Sequence, residues 1–316
     1  MSRPLLAGLV AALALAACGS SPAPSPSPNA PVAVVGKQSI PRSLFDLRLN
    51  SALTAVEQGG GPTPGSSGYD AMLSGLRADV LKSLIIDSII AQEDAFRHLA
   101  ASDADVEKEV QADAKSAGGQ SQLETQLAEA GGSLDQLRDA IRSRINEQRL
   151  EDEFAKERAA SILQQLQQGG DFATLAKQLS DDDTSAPKGG DMGVMSDATL
   201  DGGDKTFAAA VRALQPGRRV AQPVRDVAGY EIVRLDAVTP AGHAVHRILV
   251  AAPQTYTVKE RPAWFEQSLL DALAQYCSND QLQVMISGAQ QPCSTAAPSG
   301  SASPGTSPSP SATRSP

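Results

Sequence analysis

The stretch DFATLAKQLSDDDTSAPKGGDMG, Asp171 to Gly193, decides the fold. It is entered from the apolar run Ile162-Leu163-Gln164-Gln165-Leu166 through Gly169-Gly170, and Gly189-Gly190 repeats the pair near its end. Glycine pairs supply turns with positive φ that other residues reach only at a steric cost. Beyond it come Phe207-Ala208-Ala209-Ala210-Val211, Leu214-Gln215-Pro216-Gly217, Pro223-Val224 and Gly229-Tyr230-Glu231-Ile232-Val233-Arg234-Leu235. Pro216-Gly217 sets a turn ahead of the last strands.

In order and spacing, residues 162–236 resemble the parvulin family of peptidyl-prolyl isomerases, whose marks are GxDFxxLAxxxS, SxxxGGDLG, FxxA, LxxG, PV and GYHII. The resemblance implies a small antiparallel sheet with helices and catalysis of cis/trans exchange at proline. That reaction needs no nucleophile, cofactor or metal. Its barrier is amide resonance, about 18–20 kcal/mol, so a catalyst must bind the twisted amide better than either planar form. An apolar pocket for the ring and polar groups around the carbonyl would do so. By match to the family's pattern, Met192, Phe207 and the nearby Met195 would line the pocket, and Asp183 falls where the family carries Asp or Cys. Core packing is the alternative for Met192 and Phe207, and a solvated loop acid for Asp183, one of Asp181-Asp182-Asp183.

The departures from the family matter as much. The histidine of GYHII is Glu231, and the methionine expected four residues before Phe207 is Gly203. The family's first strand, RHILV, should precede Ile162, yet Arg144–Ser161 reads as continuous helix. A similar string, His246-Arg247-Ile248-Leu249-Val250, follows the domain instead. Strands of this kind lie side by side in the family, so 229–238 and 243–251 are expected to form a hairpin across Thr239–Gly242, with the first strand supplied from the carboxyl side. Arg247 would then occupy the other histidine site, with His246 on the opposite face by strand alternation. The candidate catalytic set is therefore Asp183, Glu231, Arg247 and His246, the last equally readable as an ordinary strand histidine. An Arg247–Glu231 salt bridge would replace the histidine pair, and the expectation is peptide binding with low or absent turnover.

Upstream, Val32–Val35 reads as a strand and Gly36–Ile40 as a turn. Ser39 or Pro41 opens a helix with Leu44, Phe45, Leu49, Leu53 and Val56 on one face. A loop over Gly59–Gly68 precedes a long helix over 69–99, whose apolar surface is too wide for one stripe, so other elements must surround it. Three capping boxes follow, Ser102–Asp105, Ser121–Glu124 and Ser133–Gln136, and the last opens a long charged helix over 134–166. This succession is similar to the amino-terminal chaperone domain of SurA-like and PrsA-like extracytoplasmic foldases, which cradles unfolded exported chains. Residues 262–286 read as a helix, placed where that group returns a helix to complete the chaperone module.

Five of the 21 prolines fall in 19–31 and five in 294–316, segments without any apolar side chain larger than alanine. Neither can offset its ordering entropy by burial. The net charge is −9, which disfavours nucleic acid, since binding there rests on neutralising phosphate. Residues 1–17 carry Arg3 and then an apolar run too short to span a membrane, as a signal peptide does. Leu15-Ala16-Ala17-Cys18 resembles the lipobox of bacterial lipoproteins, which implies lipidation at Cys18; cleavage at a nearby alanine is the alternative. Cys277 and Cys293 then remain as an even pair, either free or joined in a bridge worth about 3 kcal/mol.

The expected division is a signal peptide over 1–17, a lipidated Cys18 and tether over 18–31, a helical chaperone domain over 32–155, a parvulin-like domain over 156–251, a completing helix over 252–293 and a disordered tail over 294–316. The fold class is α+β. The expected partners are unfolded or proline-containing exported polypeptides and, through the anchor, the cell membrane. A pure holdase, or an envelope-assembly or solute-binding lipoprotein, is the competing class.

Overall fold

The computed structural model describes residues 27, 29–252, 262–286 and 292–295. The signal-peptide, Cys18 and most tether and tail expectations lie outside these residues.

The chain opens with β1 (Pro31–Val35), turns at Gly36-Lys37 and returns as β2 (Gln38–Pro41) before α1 (Arg42–Gln58). The segment read as a turn is thus a second strand. A two-residue reversal brings Ile40 opposite Ala33, and both side chains are buried. Helices α2 (Tyr69–Arg97), α3 (Asp103–Ala117), α4 (Gln120–Glu129) and α5 (Leu134–Gln167) follow. The boxes at Ser102 and Ser133 form, each with serine and the third residue capping reciprocally. The box at Ser121 does not. Gly118 and Gly119 reverse the chain so tightly that the N-cap falls two residues earlier, at Gly119; α4 begins at Gln120 with no side-chain cap, and Ser121 lies inside it.

After α5 come α6 (Phe172–Leu179), β3 (Asp191–Met195), α7 (Asp197–Gly202), α8 (Lys205–Ala213), β4 (Arg218–Arg219), β5 (Val224–Arg225), β6 (Gly229–Thr239) and β7 (Gly242–Ala251). The last two form an antiparallel hairpin. The order across the sheet is β3-β7-β6-β4, with β5 also paired to β6. The interior strand β7, which carries the His-Arg-Ile-Leu-Val string, is therefore reached last in the chain. Because β7 follows β6 through a tight turn, α5 runs straight into this part of the molecule without a strand ahead of it.

The carboxyl side is α9 (Ala263–Ser278), β8 (Leu282–Val284) and α10 (Pro292–Thr295). The single helix expected over 262–286 therefore ends early. Asp280 adopts a left-handed conformation, and β8 then pairs antiparallel with β1, making the three-stranded sheet β2-β1-β8. Cys277 and Cys293 are joined by a disulfide, tying α9 to α10.

The 34-residue α5, about 50 Å long at 1.5 Å per residue, contributes to three apolar cores. Ile141 packs with Val106, Val110 and Leu123 of α3 and α4. Leu150 packs with Ile90 of α2 and with Phe265 and Leu269 of α9. Ala155, Ala159, Ile162, Leu163 and Leu166 enter the core beneath the five-stranded sheet, with Ile232, Ile248 and Val250. A further core gathers β1, α1 and α2 around Val35, Phe45, Leu81 and Ile85, and takes in Leu273 of α9. Among the described residues no helix is long and apolar enough to cross a membrane.

Candidate functional site

The site is built where the segment between α6 and β3 meets the free edge of β7. Asp171 caps α6 through the Thr174 backbone N–H, which fixes where the helix starts and so where it delivers Ser180. From Ser180 onward the chain is stitched to β7. The Leu249 N–H donates to Ser180 Oγ at 3.1 Å, the Asp181 N–H to the Leu249 carbonyl at 2.8 Å, and the Ala251 N–H to Asp181 Oδ2 at 2.8 Å. Ten residues on, the Arg247 N–H donates to the Gly190 carbonyl at 2.8 Å. These bonds satisfy the strand edge that β3 leaves uncovered, and they hold Asp182 over Arg247.

Asp182 is buried, and its carboxylate accepts from the backbone N–H groups of Thr184 and Ser185, from Ser185 Oγ, and from Arg247 Nε at 2.9 Å. Burial works to raise its pKa, but the Arg247 and Ser185 hydrogen bonds outweigh that and hold the carboxyl down to about 2. Arg247 Nη1 donates to Glu231 Oε1 at 3.0 Å. Glu231 is fully buried, and its Oε2 is sealed from solvent with no hydrogen-bond partner among the described residues. Burial pushes its pKa up to about 8 against the pull of Arg247. The pair is diagonal across the hairpin: Glu231 lies opposite Leu249, and Arg247 opposite Val233. Such neighbours are within reach of a long side chain.

Beside the triad opens a cleft of about 380 Å³, lined by Asp182, Ser185, Lys188, Asp191, Met192 and Arg247 among others. Met192 is its one large apolar side chain. The arrangement pairs an apolar wall with an anchored guanidinium. An arrangement of this kind can bind and polarise an amide.

The structure does not bring all the expected residues together. Asp183 is exposed, and it is its neighbour Asp182 that meets Ser185 and Arg247. Phe207 is held at the start of α8 by the Asp204 cap, is 7% exposed and packs in the core rather than along the cleft. Met195 also packs against that core, at the end of β3, opposite His243. His246 faces the other way: its Nδ1 lies 3.2 Å from Asp236 Oδ2, and its ring meets Phe172 edge-on at 6.2 Å. It takes no part in the cleft. Ser185 is the serine of the SxxxGGDLG mark, and the structure gives it a partner the sequence did not, the Asp182 carboxylate.

Residues 140–237 match the sequence profile of the PPIC-type PPIASE domain, and residues 4–151 that of the SurA-like N-terminal domain. The first match ends before β7 begins. Two parts of the chain are thus similar to known domains, one to the parvulin-type isomerase domain and one to the SurA-like N-terminal domain. Among its relatives, the periplasmic chaperone PpiD of Escherichia coli K12 is 38% identical over 86 residues, covering 27% of this chain and 13% of its own. The foldase protein PrsA of Pediococcus pentosaceus is 35% identical over 82 residues, covering 25% and 27%. The chaperone SurA of Ralstonia nicotianae is 28% identical over 222 residues, covering 54% and 44%. The matches thus span less than half the length of each of these relatives.

Proposed function

We propose that the protein is an extracytoplasmic, lipid-tethered foldase that receives unfolded exported polypeptides and takes their proline-containing segments into the cleft beside β7. The observation that carries this reading is the cleft itself: an apolar Met192 wall beside a guanidinium held in place by two acids. The relatives' names, chaperone and foldase, agree with it. So does the amino-terminal sequence, whose lipobox-like Leu15–Cys18 and Pro/Ser stretch suit a tether.

The test is a titration of the isotope-labelled chain with a short proline-containing peptide. Backbone resonances of Met192, Gly193 and Arg247 are expected to shift. Met192→Ala removes apolar surface that a bound proline ring would cover, and is expected to weaken binding about tenfold. A peptide that leaves these resonances unmoved, in a chain that also fails to slow aggregation of an unfolded client, overturns the reading.

A further inference from the structure

Arg247 carries three guanidinium nitrogens, and the fold uses two of them. Nε is spent on Asp182 and Nη1 on Glu231. Nη2 hydrogen-bonds to no described residue, and unlike Glu231 Oε2 it is not among the solvent-sealed atoms left without a partner. Arg247 itself lines the cleft beside Met192. Two acids thus hold the planar fork in one orientation, on a strand whose backbone is fixed by Gly190. An ammonium could hydrogen-bond to the same two side chains, but it has no rigid third donor to leave over.

We propose that Arg247 is the catalytic residue of the cleft, donating from Nη2 to the prolyl nitrogen, with Asp182 and Glu231 as its positioning residues. The inference rests on the cleft's being the site for proline-containing segments. No bond is made or broken in the reaction; the amide rotates. In the planar isomers the nitrogen lone pair is delocalised into the carbonyl, and in the twisted form it is localised on nitrogen. A donor aimed at nitrogen therefore binds the twisted form selectively, which is what lowers a barrier. A guanidinium already oriented by fixed acids does this without reorganising at the moment of rotation. The exchange of two histidines for Glu231 and Arg247 then replaces one polar constellation by another rather than removing it.

The experiment is NMR exchange spectroscopy on a proline-containing peptide, with the full chain and its Arg247→Lys, Glu231→Ala and Glu231→Gln variants at saturating peptide. Wild type is expected to accelerate exchange. Arg247→Lys keeps the partly buried positive charge and is expected to fold, to bind peptide within about threefold of wild type, and to lose exchange at least about tenfold. Glu231→Ala is expected to lose exchange with peptide affinity retained, and Glu231→Gln, which still offers an oxygen to Nη1, to recover it. A purely structural salt bridge would move stability without this split between affinity and rate. If wild type binds the peptide without accelerating exchange, or Arg247→Lys turns over like wild type, the assignment of Arg247 is overturned and the peptide-binding reading stands. If wild type binds no proline peptide, both are overturned.

Discussion

Asp182 joins a loop to a strand 65 residues away in sequence: one carboxylate accepts from Thr184, Ser185 and the Arg247 guanidinium. Asp183 beside it faces solvent. Removing a partner from a buried ion pair leaves an uncompensated charge, so Asp182→Ala is expected to cost about 3 kcal/mol in urea unfolding, whereas Asp183→Ala should stay within about 0.5 kcal/mol. Similar losses for the two would contradict the assignment of the buried carboxylate. A run of three aspartates cannot be resolved by residue type, because what separates them is long-range: which one faces Arg247 once the loop has docked. The Arg247–Glu231 pair was legible for the opposite reason. Strand alternation has a period of two, so the hairpin alone places both on one face and His246 on the other. Phe207 is open to both readings, pocket wall and core packing, because an apolar residue at the head of a helix looks the same whether it faces a cleft or a core.

The loop between α6 and β3 holds its shape through a point of close backbone approach. Gly190 has φ +86°, and a Cβ there would stand 2.4 Å from the Arg247 carbonyl oxygen. Gly193 also has positive φ, +75°, but a Cβ there would meet nothing within 4 Å. Gly193→Ala should therefore cost only the left-handed strain, about 1–2 kcal/mol, while Gly190→Ala adds a steric clash with the strand that carries the site and should cost about 3 kcal/mol or more. Equal losses in urea unfolding would show that the loop yields at Gly190. Long elements such as α2 and α5 were legible from apolar periodicity and caps, since those signals are local. The strands β2 and β8 were not. Three- and four-residue strands carry too little pattern to announce themselves, and β8 exists only because β1 offers its edge from the far end of the chain. The Ser121 box failed because a glycine pair overrode it at Gly118-Gly119.

Across the molecule α5 is the continuous member, and its Asp152 fastens the sheet to it: Arg225 Nε donates to Asp152 Oδ1 at 2.8 Å and Tyr230 Oη to Oδ2 at 2.9 Å. On either side of that clamp lies a buried acid. Glu231 lies on the cleft face of the sheet, against Arg247. Asp94 of α2 is fully buried, with neither oxygen hydrogen-bonded among the described residues. Burial pushes Asp94 up to about 7, against an opposing pull from Arg149, and Glu231 up to about 8. Both folded values lie above those of the unfolded chain, near 3.8 and 4.5, so between them the native state binds more protons than the unfolded state. Stability from these groups is thus complete below about pH 4 and falls as pH rises through the folded values, by up to about 1.4 kcal/mol per pH unit for each group. Asp182 works in the reverse sense, its contribution present above about pH 4 and lost as pH drops toward 2. The molecule is therefore expected to be most stable near pH 4–5 and to weaken toward pH 8. Urea midpoints measured at pH 5, 7 and 8 check this directly. The double variant Asp94→Asn, Glu231→Gln removes both titrating groups and should flatten the decline above pH 5. A wild-type midpoint that holds level or rises from pH 5 to pH 8 would mean that these carboxyls are ionised in the folded chain, each with a compensating partner.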